Sequence, residues 1–124
     1  MSQSYQAAAA IAAGVACKLN ASGKVVICDT VGEQALGITK QEATAADQWI
    51  SIATDGDVVE YAKIGAVIAL NANRLLMTTA DGDLITHTSG SGYYPIAELY
   101  PNTRQGATAD GDDARVVVSL KSPF

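Results

Sequence analysis

Gly14-Val15-Ala16-Cys17-Lys18-Leu19-Asn20-Ala21 returns as Gly65-Ala66-Val67-Ile68-Ala69-Leu70-Asn71-Ala72, with Gly, Leu, Asn and Ala in the same places. Each copy leaves a glycine, runs through mostly apolar chain to a leucine, and meets an Asn-Ala corner. That is the pattern of a strand entering a hairpin. The first corner, Asn20-Ala21-Ser22-Gly23, has Asn where a type I turn favours it and Gly where φ must turn positive. The second, Asn71-Ala72-Asn73-Arg74, lacks the glycine, although Asn73 tolerates the left-handed region.

The echo continues in one order. Ala35-Leu36-Gly37-Ile38 is followed by Ala43-Thr44-Ala45-Ala46-Asp47 and Trp49-Ile50-Ser51-Ile52; Pro95-Ile96-Ala97-Glu98-Leu99 is followed by Ala107-Thr108-Ala109-Asp110 and Val116-Val117-Val118-Ser119-Leu120. The reading is all-β: a small β-barrel or β-sandwich built from two tandem related units, about 14–54 and 65–120, in a single domain over 14–124. Residues 1–13 stand apart as an extended N-terminal arm. They carry Ser, Gln and alanines without hydrophobic periodicity, so they are either a frayed end or a segment that orders by adding a strand to a neighbour's sheet edge. On that reading removal of 1–10 leaves the fold intact. Strands are expected near 15–19, 24–28, 35–39, 48–54, 57–62, 66–70, 74–79, 83–87, 94–99 and 115–120. The units are expected to differ most between hairpin and return strand, 29–34 against 79–94.

The chain has 124 residues and a formal net charge of −5, with its Lys and Arg scattered, a balance that argues against direct nucleic-acid binding. No apolar run approaches the ~20 residues of a membrane span, and no basic residue precedes Lys18 to begin a signal peptide, so synthesis in a cytosol is expected. Much of the apolar content is Ala, with one Trp and one Phe; so thin a core favours a homo-oligomer. Cys17 and Cys28 lie on the two arms of the first hairpin. If Leu19 faces Lys24 they share a face diagonally, and if Asn20 pairs with Lys24 they point to opposite faces. Neither register suits a disulfide, so both are expected reduced.

Three Asp-Gly-Asp triplets, 55–57, 81–83 and 110–112, lack the frame of a calcium loop and sit between apolar runs as turns. Two cysteines and the distant His87 do not make a zinc site. No nucleophile elbow or phosphate loop occurs, so no catalytic, cofactor-binding or metal residue is expected. Trp49, with Ile50 and Ile52, is read as core or subunit interface. Tyr93 and Tyr94, beside the Ser-Gly run 88–92, either form a contact surface or roll back onto the body; Ser2, Tyr5, Gln6 and Tyr100 complete the candidate partner contacts.

The succession GVACKLNASGKVV, ALGIT, EATAADQ, WISI, DGDVVEYA, GAVIALNANRLLMT, PIAEL and RVVVSL resembles the head decoration, or capsid cement, proteins of tailed bacteriophages over about residues 11–120. The missing turn glycine at Arg74 and the long 79–94 segment depart from the pattern. The resemblance implies a structural virion protein, not an enzyme. Such a protein is assembled in the host cytoplasm, sits on the head exterior and bridges subunits of the major capsid protein. It is a small oligomer, a trimer before a dimer. The alternative is a lectin-like or receptor-binding β module using Tyr93, Tyr94 and Tyr100.

Overall fold

The computed structural model describes residues 3–66, 75–99 and 113–123. Among them lie ten strands and no helix: β1 Gln3–Gln6, β2 Ala16–Leu19, β3 Val25–Ile27, β4 Gly37–Thr39, β5 Trp49–Ala53, β6 Val58–Lys63, β7 Leu75–Thr78, β8 Leu84–Thr86, β9 Ala97–Leu99 and β10 Asp113–Val118. They form two five-stranded sheets, ordered β1-β5-β4-β2-β3 and β6-β10-β9-β7-β8. Shifting every label by five turns one order into the other, and all strand pairs are antiparallel. The chain is therefore two similar β units in tandem.

The likeness reaches single bonds. One parallel bridge links Ala7 to Val25 and another links Ile64 to Leu84, each joining the end of a unit's first strand to the start of its third. Ala8 N–H donates to Val25 O at 2.9 Å, as Gly65 N–H does to Leu84 O at 2.8 Å. Leu36 N–H donates to Cys17 O at 2.8 Å, as Ile96 N–H does to Leu76 O at 2.9 Å. Among the described residues these single bridges curl each sheet without a ladder that closes it, which favours the sandwich over the closed barrel of the two expected architectures.

Residues 3–13 belong to this scheme. Gln3–Gln6 pairs with Ile52 through Trp49, Ala7 is fully buried, and Ile11 bridges Ala43. The expected boundary at Ala13 is corrected accordingly: the first unit begins at β1, the counterpart of β6, and the segment runs along its own sheet. A Gln-Ser-Tyr-Gln strand carries no apolar alternation because it lies at a sheet edge, where polar side chains are tolerated.

The correspondence between the two hairpins is corrected too. Asn20 N–H donates to Lys24 O at 2.9 Å and Gly23 N–H to Asn20 O at 3.0 Å; the matching bonds are Thr79 to Asp83 at 2.8 Å and Gly82 to Thr79 at 3.3 Å. The tip side chain repeats as well, with Ser22 N–H donating to Asn20 Oδ1 at 2.9 Å and Asp81 N–H to Thr79 Oγ1 at 3.1 Å. Asn20-Ala21-Ser22-Gly23 thus corresponds to Thr79-Ala80-Asp81-Gly82. The corner read at 71–74, and most of the strand read at 66–70, lie outside the described residues. With the second hairpin at 79–83, the return connections become nearly equal, 28–36 and 87–96, and the expected length difference there disappears.

Two apolar clusters hold the units. Cys17, Val25, Ile50 and Ile52 pack with Ala7, Ile11, Val15 and Ala43 on one side of the first sheet. Ala16, Cys28, Ile38 and Ala53 point the other way and join Leu76, Leu84, Ile96, Val116 and Val118 of the second unit in the larger cluster. The seam between the units also carries backbone bonds: Ala16 N–H to Gly82 O at 2.8 Å, Gly32 N–H to Thr78 O at 2.9 Å, Lys63 N–H to Gly14 O at 2.8 Å and Tyr94 N–H to Gly32 O at 2.9 Å. Such close approach needs residues without a Cβ. A Cβ on Gly14 would lie 2.2 Å from Tyr61 O, and one on Gly82 would lie 2.5 Å from Ile27 Cγ1.

Candidate functional site

Of the residues singled out from the sequence, Gln6 and Trp49 come together, with Tyr5 beside them on the opposite face of β1. Gln6 on β1 is the cross-strand partner of Trp49 on β5. Alternation along β5 sends Ile50 and Ile52 inward, to 2% and 0% exposure, and turns Trp49 outward at 67%. The core reading thus holds for the two isoleucines and is corrected for Trp49, which stands at the start of the strand on the face it shares with buried Ala53, beyond the cover of the larger cluster. Tyr5 packs its ring on the first sheet's cluster and donates through its hydroxyl to Gln3 Oε1 at 3.0 Å. Ser2 and Tyr100 lie outside the described residues.

The corner before Trp49 is tightly built. Asp47 has φ of 69°, its N–H donates to Ala7 O at 2.7 Å, and Ala7 N–H donates to Gln48 O at 2.9 Å. The extra residue bends β5 at its entry, and Lys24 Nζ pairs with the Asp47 carboxylate across it. Gln6 Nε2 adds a bond to Asp47 O at 3.3 Å. Since Ala7 N–H faces β5, alternation turns the backbone groups of Ser4 and Gln6 to the outer side of β1. Trp49 thus flanks an open strand edge on a rigid support.

A second exposed aromatic, Tyr61 at 72%, was not singled out from the sequence. Strict alternation from Val59 would bury it. Between the pairs Val59–Val116 and Ala62–Ala114, however, Glu60 and Tyr61 together face Arg115, a bulge that pushes both outward. Glu60 Oε2 lies 3.0 Å from Arg115 Nε. Tyr61 borders a cleft of about 410 Å³ where the units meet, lined also by Ala13, Gly14, Lys40, Val58 and Glu60. The only sequence sign was the placement of Glu-Tyr inside an otherwise apolar strand.

Tyr93 and Tyr94 follow the second of their two expected courses and fold back onto the body. Tyr94 packs against the larger cluster, and Tyr93 covers Gly32, where a Cβ would lie 2.3 Å from its ring. Buried His87 places Nε2 2.9 Å from Tyr93 O. Both rings are half-buried, which removes a free stacking pair.

The polar clusters serve the backbone. Lys18 Nζ sits 2.7 Å from Asp29 Oδ1 and 2.8 Å from Glu33 Oε1, while Glu33 Oε2 accepts from Asp29 N–H at 2.8 Å and Thr30 N–H at 2.7 Å. The Asp29 and Glu33 hydrogen bonds hold the Lys18 ammonium above the usual lysine range. In the turn at 55–57, Asp57 Oδ2 accepts from Thr54 N–H and Asp55 Oδ1 from Leu120 N–H, both at 2.9 Å. The triplet at 81–83 closes the β7–β8 hairpin, and 110–112 lies outside the described residues.

Asn20 pairs with Lys24, so the cysteines face opposite sides of the sheet, both buried and both free. Burial first, then the charge of Cys28, pushes the Cys17 thiol up to about 12; burial first, then Glu33, does the same for Cys28. Neither is an activated nucleophile. Because the folded state keeps protons that unfolded thiols lose above the ordinary value of 9.0, stability should fall as pH rises from there toward 12. Each thiol contributes a slope of up to about 1.4 kcal/mol per pH unit. Urea unfolding at pH 8 and pH 10 checks this: the Cys17→Ala, Cys28→Ala double variant should lose less of its stability between them than the parent.

Neither a protein-family model nor a curated protein matches the chain.

Proposed function

We propose that this chain is a structural protein of a tailed-phage head, a decoration protein that binds the outside of the assembled shell and bridges major capsid subunits. The observation that carries the reading is Trp49, 67% exposed on a rigid strand beside an open sheet edge. An aromatic of that size, left uncovered on a hydrogen-bonded strand, is the side chain most often found at the centre of a protein contact. The resemblance of the order of sequence phrases to capsid cement proteins points the same way. So does the doubled β scaffold, which offers repeated surface to a repetitive lattice; many small clamps raise the cost of opening a pressurised shell even when each binds modestly.

Co-sedimentation with bare phage heads tests the proposal. The parent chain should pellet with heads and Trp49→Ala should bind at least about 10-fold more weakly, with folding stability changed by no more than about 0.5 kcal/mol because the ring is mostly solvated. A parent chain that stays in the supernatant, or a Trp49→Ala chain that pellets equally well, would count against it.

A further inference from the structure

The seam inside the chain has an unfilled duplicate. Across it, the second unit contributes Lys63 N–H, Thr78 O, Gly82 O and Tyr94 N–H, each bonded to the first unit. By the strand registers, their counterparts in the first unit are Gln6 N–H, Leu19 O, Gly23 O and Gln34 N–H. None of these four has a hydrogen-bond partner among the described residues. Packing shows the same contrast. Thr78 is fully buried and a Cβ on Gly82 would meet Ile27 at 2.5 Å, whereas Leu19 is 40% exposed and a Cβ on Gly23 would meet nothing within 4 Å.

One element of the opposite half of the seam is duplicated as well. Gly32, at φ of 70°, donates to Thr78 O and accepts from Tyr94 N–H. Its counterpart four residues before Ile96 is Gly92, with φ of 75°, open space around it and no hydrogen bond to a described residue. Alongside the receiving half of the junction it makes internally, one chain thus exposes the Gly92 element of the inserting half.

We propose that a second copy of this chain fills that duplicate, head to tail: the 87–96 connection of one copy seats against the end of β2 and the 28–36 connection of the next. Gly92 N–H then donates to Leu19 O and Gln34 N–H to Gly92 O, as Gly32 and Tyr94 do within the chain. The two patches differ, so the contact is heterologous and extends to a ring or a filament rather than stopping at a two-fold dimer. Leu19 explains itself here as an apolar side chain at a position whose counterpart is buried.

Complementation of two variants tests it independently of any capsid. Leu19→Glu damages the receiving patch. Gly92→Asp damages the inserting one: Asp tolerates positive φ, and its side chain would meet Glu33 of the next copy, as a Cβ on Gly32 would meet Tyr93 within the chain. By sedimentation velocity, with circular dichroism to confirm folding, the parent should associate and each variant alone should associate at least about 30-fold more weakly, the equivalent of one strong interface residue. An equimolar mixture of the two should form a one-to-one dimer, since one intact junction remains. A monomeric parent, variants that associate as the parent does, or a folded mixture that stays monomeric would overturn the proposal.

Discussion

Removal of residues 1–10 is expected to unfold the first unit. The deletion takes away β1, the fully buried Ala7 and the ring of Tyr5. What it uncovers is the inner side of β5, where Ile50 and Ile52 are 2% and 0% exposed. Returning two isoleucines to water costs about 1.5–3 kcal/mol each, and the lost ladder and tyrosine packing add to that. The sum, roughly 4–7 kcal/mol, is comparable to the whole stability of many small domains. Urea unfolding followed by circular dichroism should show a much lower midpoint or no cooperative transition. Dye binding should report exposed apolar surface even without denaturant. A truncated chain with the parent's midpoint would mean that β1 does not belong to its own sheet.

That expectation reverses the one drawn from sequence, and the reason is physical. Apolar alternation announces a strand only when one of its faces is buried by its own side chains. Gln3-Ser4-Tyr5-Gln6 contributes mainly backbone bonds to an edge and buries little beyond part of Tyr5. Its partner, β5, lies more than forty residues away, so no local pattern reveals the pairing. The strands that alternate within both sheets, such as Trp49–Ala53 and Asp113–Val118, were legible because burial wrote itself into their side chains.

The repeat was legible in kind and misread in register. Ala35-Leu36-Gly37-Ile38 and Pro95-Ile96-Ala97-Glu98 do occupy equivalent places, as the bonds from Leu36 and Ile96 show. The louder match, Leu19-Asn20-Ala21 with Leu70-Asn71-Ala72, does not: Asn20 corresponds to Thr79. What the hairpin requires is an oxygen-bearing side chain at its first position and a glycine at its fourth, which Thr79-Ala80-Asp81-Gly82 supplies and Asn71-Ala72-Asn73-Arg74 does not. Turn chemistry was the better guide than residue identity. Trp49 departs from the core half of its reading for another reason: hydrophobicity predicts burial but not how far along a sheet face the cover reaches.

Gly14→Ala should be among the most damaging single substitutions in the chain, and Gly23→Ala should be mild. Both glycines have positive φ, at 79° and 77°, so both substitutions place a Cβ in the left-handed region at a cost of about 1–2 kcal/mol. They differ only in surroundings. Nothing lies within 4 Å of the Cβ at 23, whereas at 14 it meets Tyr61 O at 2.2 Å. That carbonyl belongs to β6, and moving it away strains the Lys63 N–H bond to Gly14 O at 2.8 Å, which stitches the units together. Clash, lost bond and loosened packing of Ala62 bring the expected penalty at Gly14 to roughly 3–5 kcal/mol. Parallel urea titrations decide the matter. Equal midpoints for the two variants would show that the units touch more loosely than the close approach of Gly14 to Tyr61 requires.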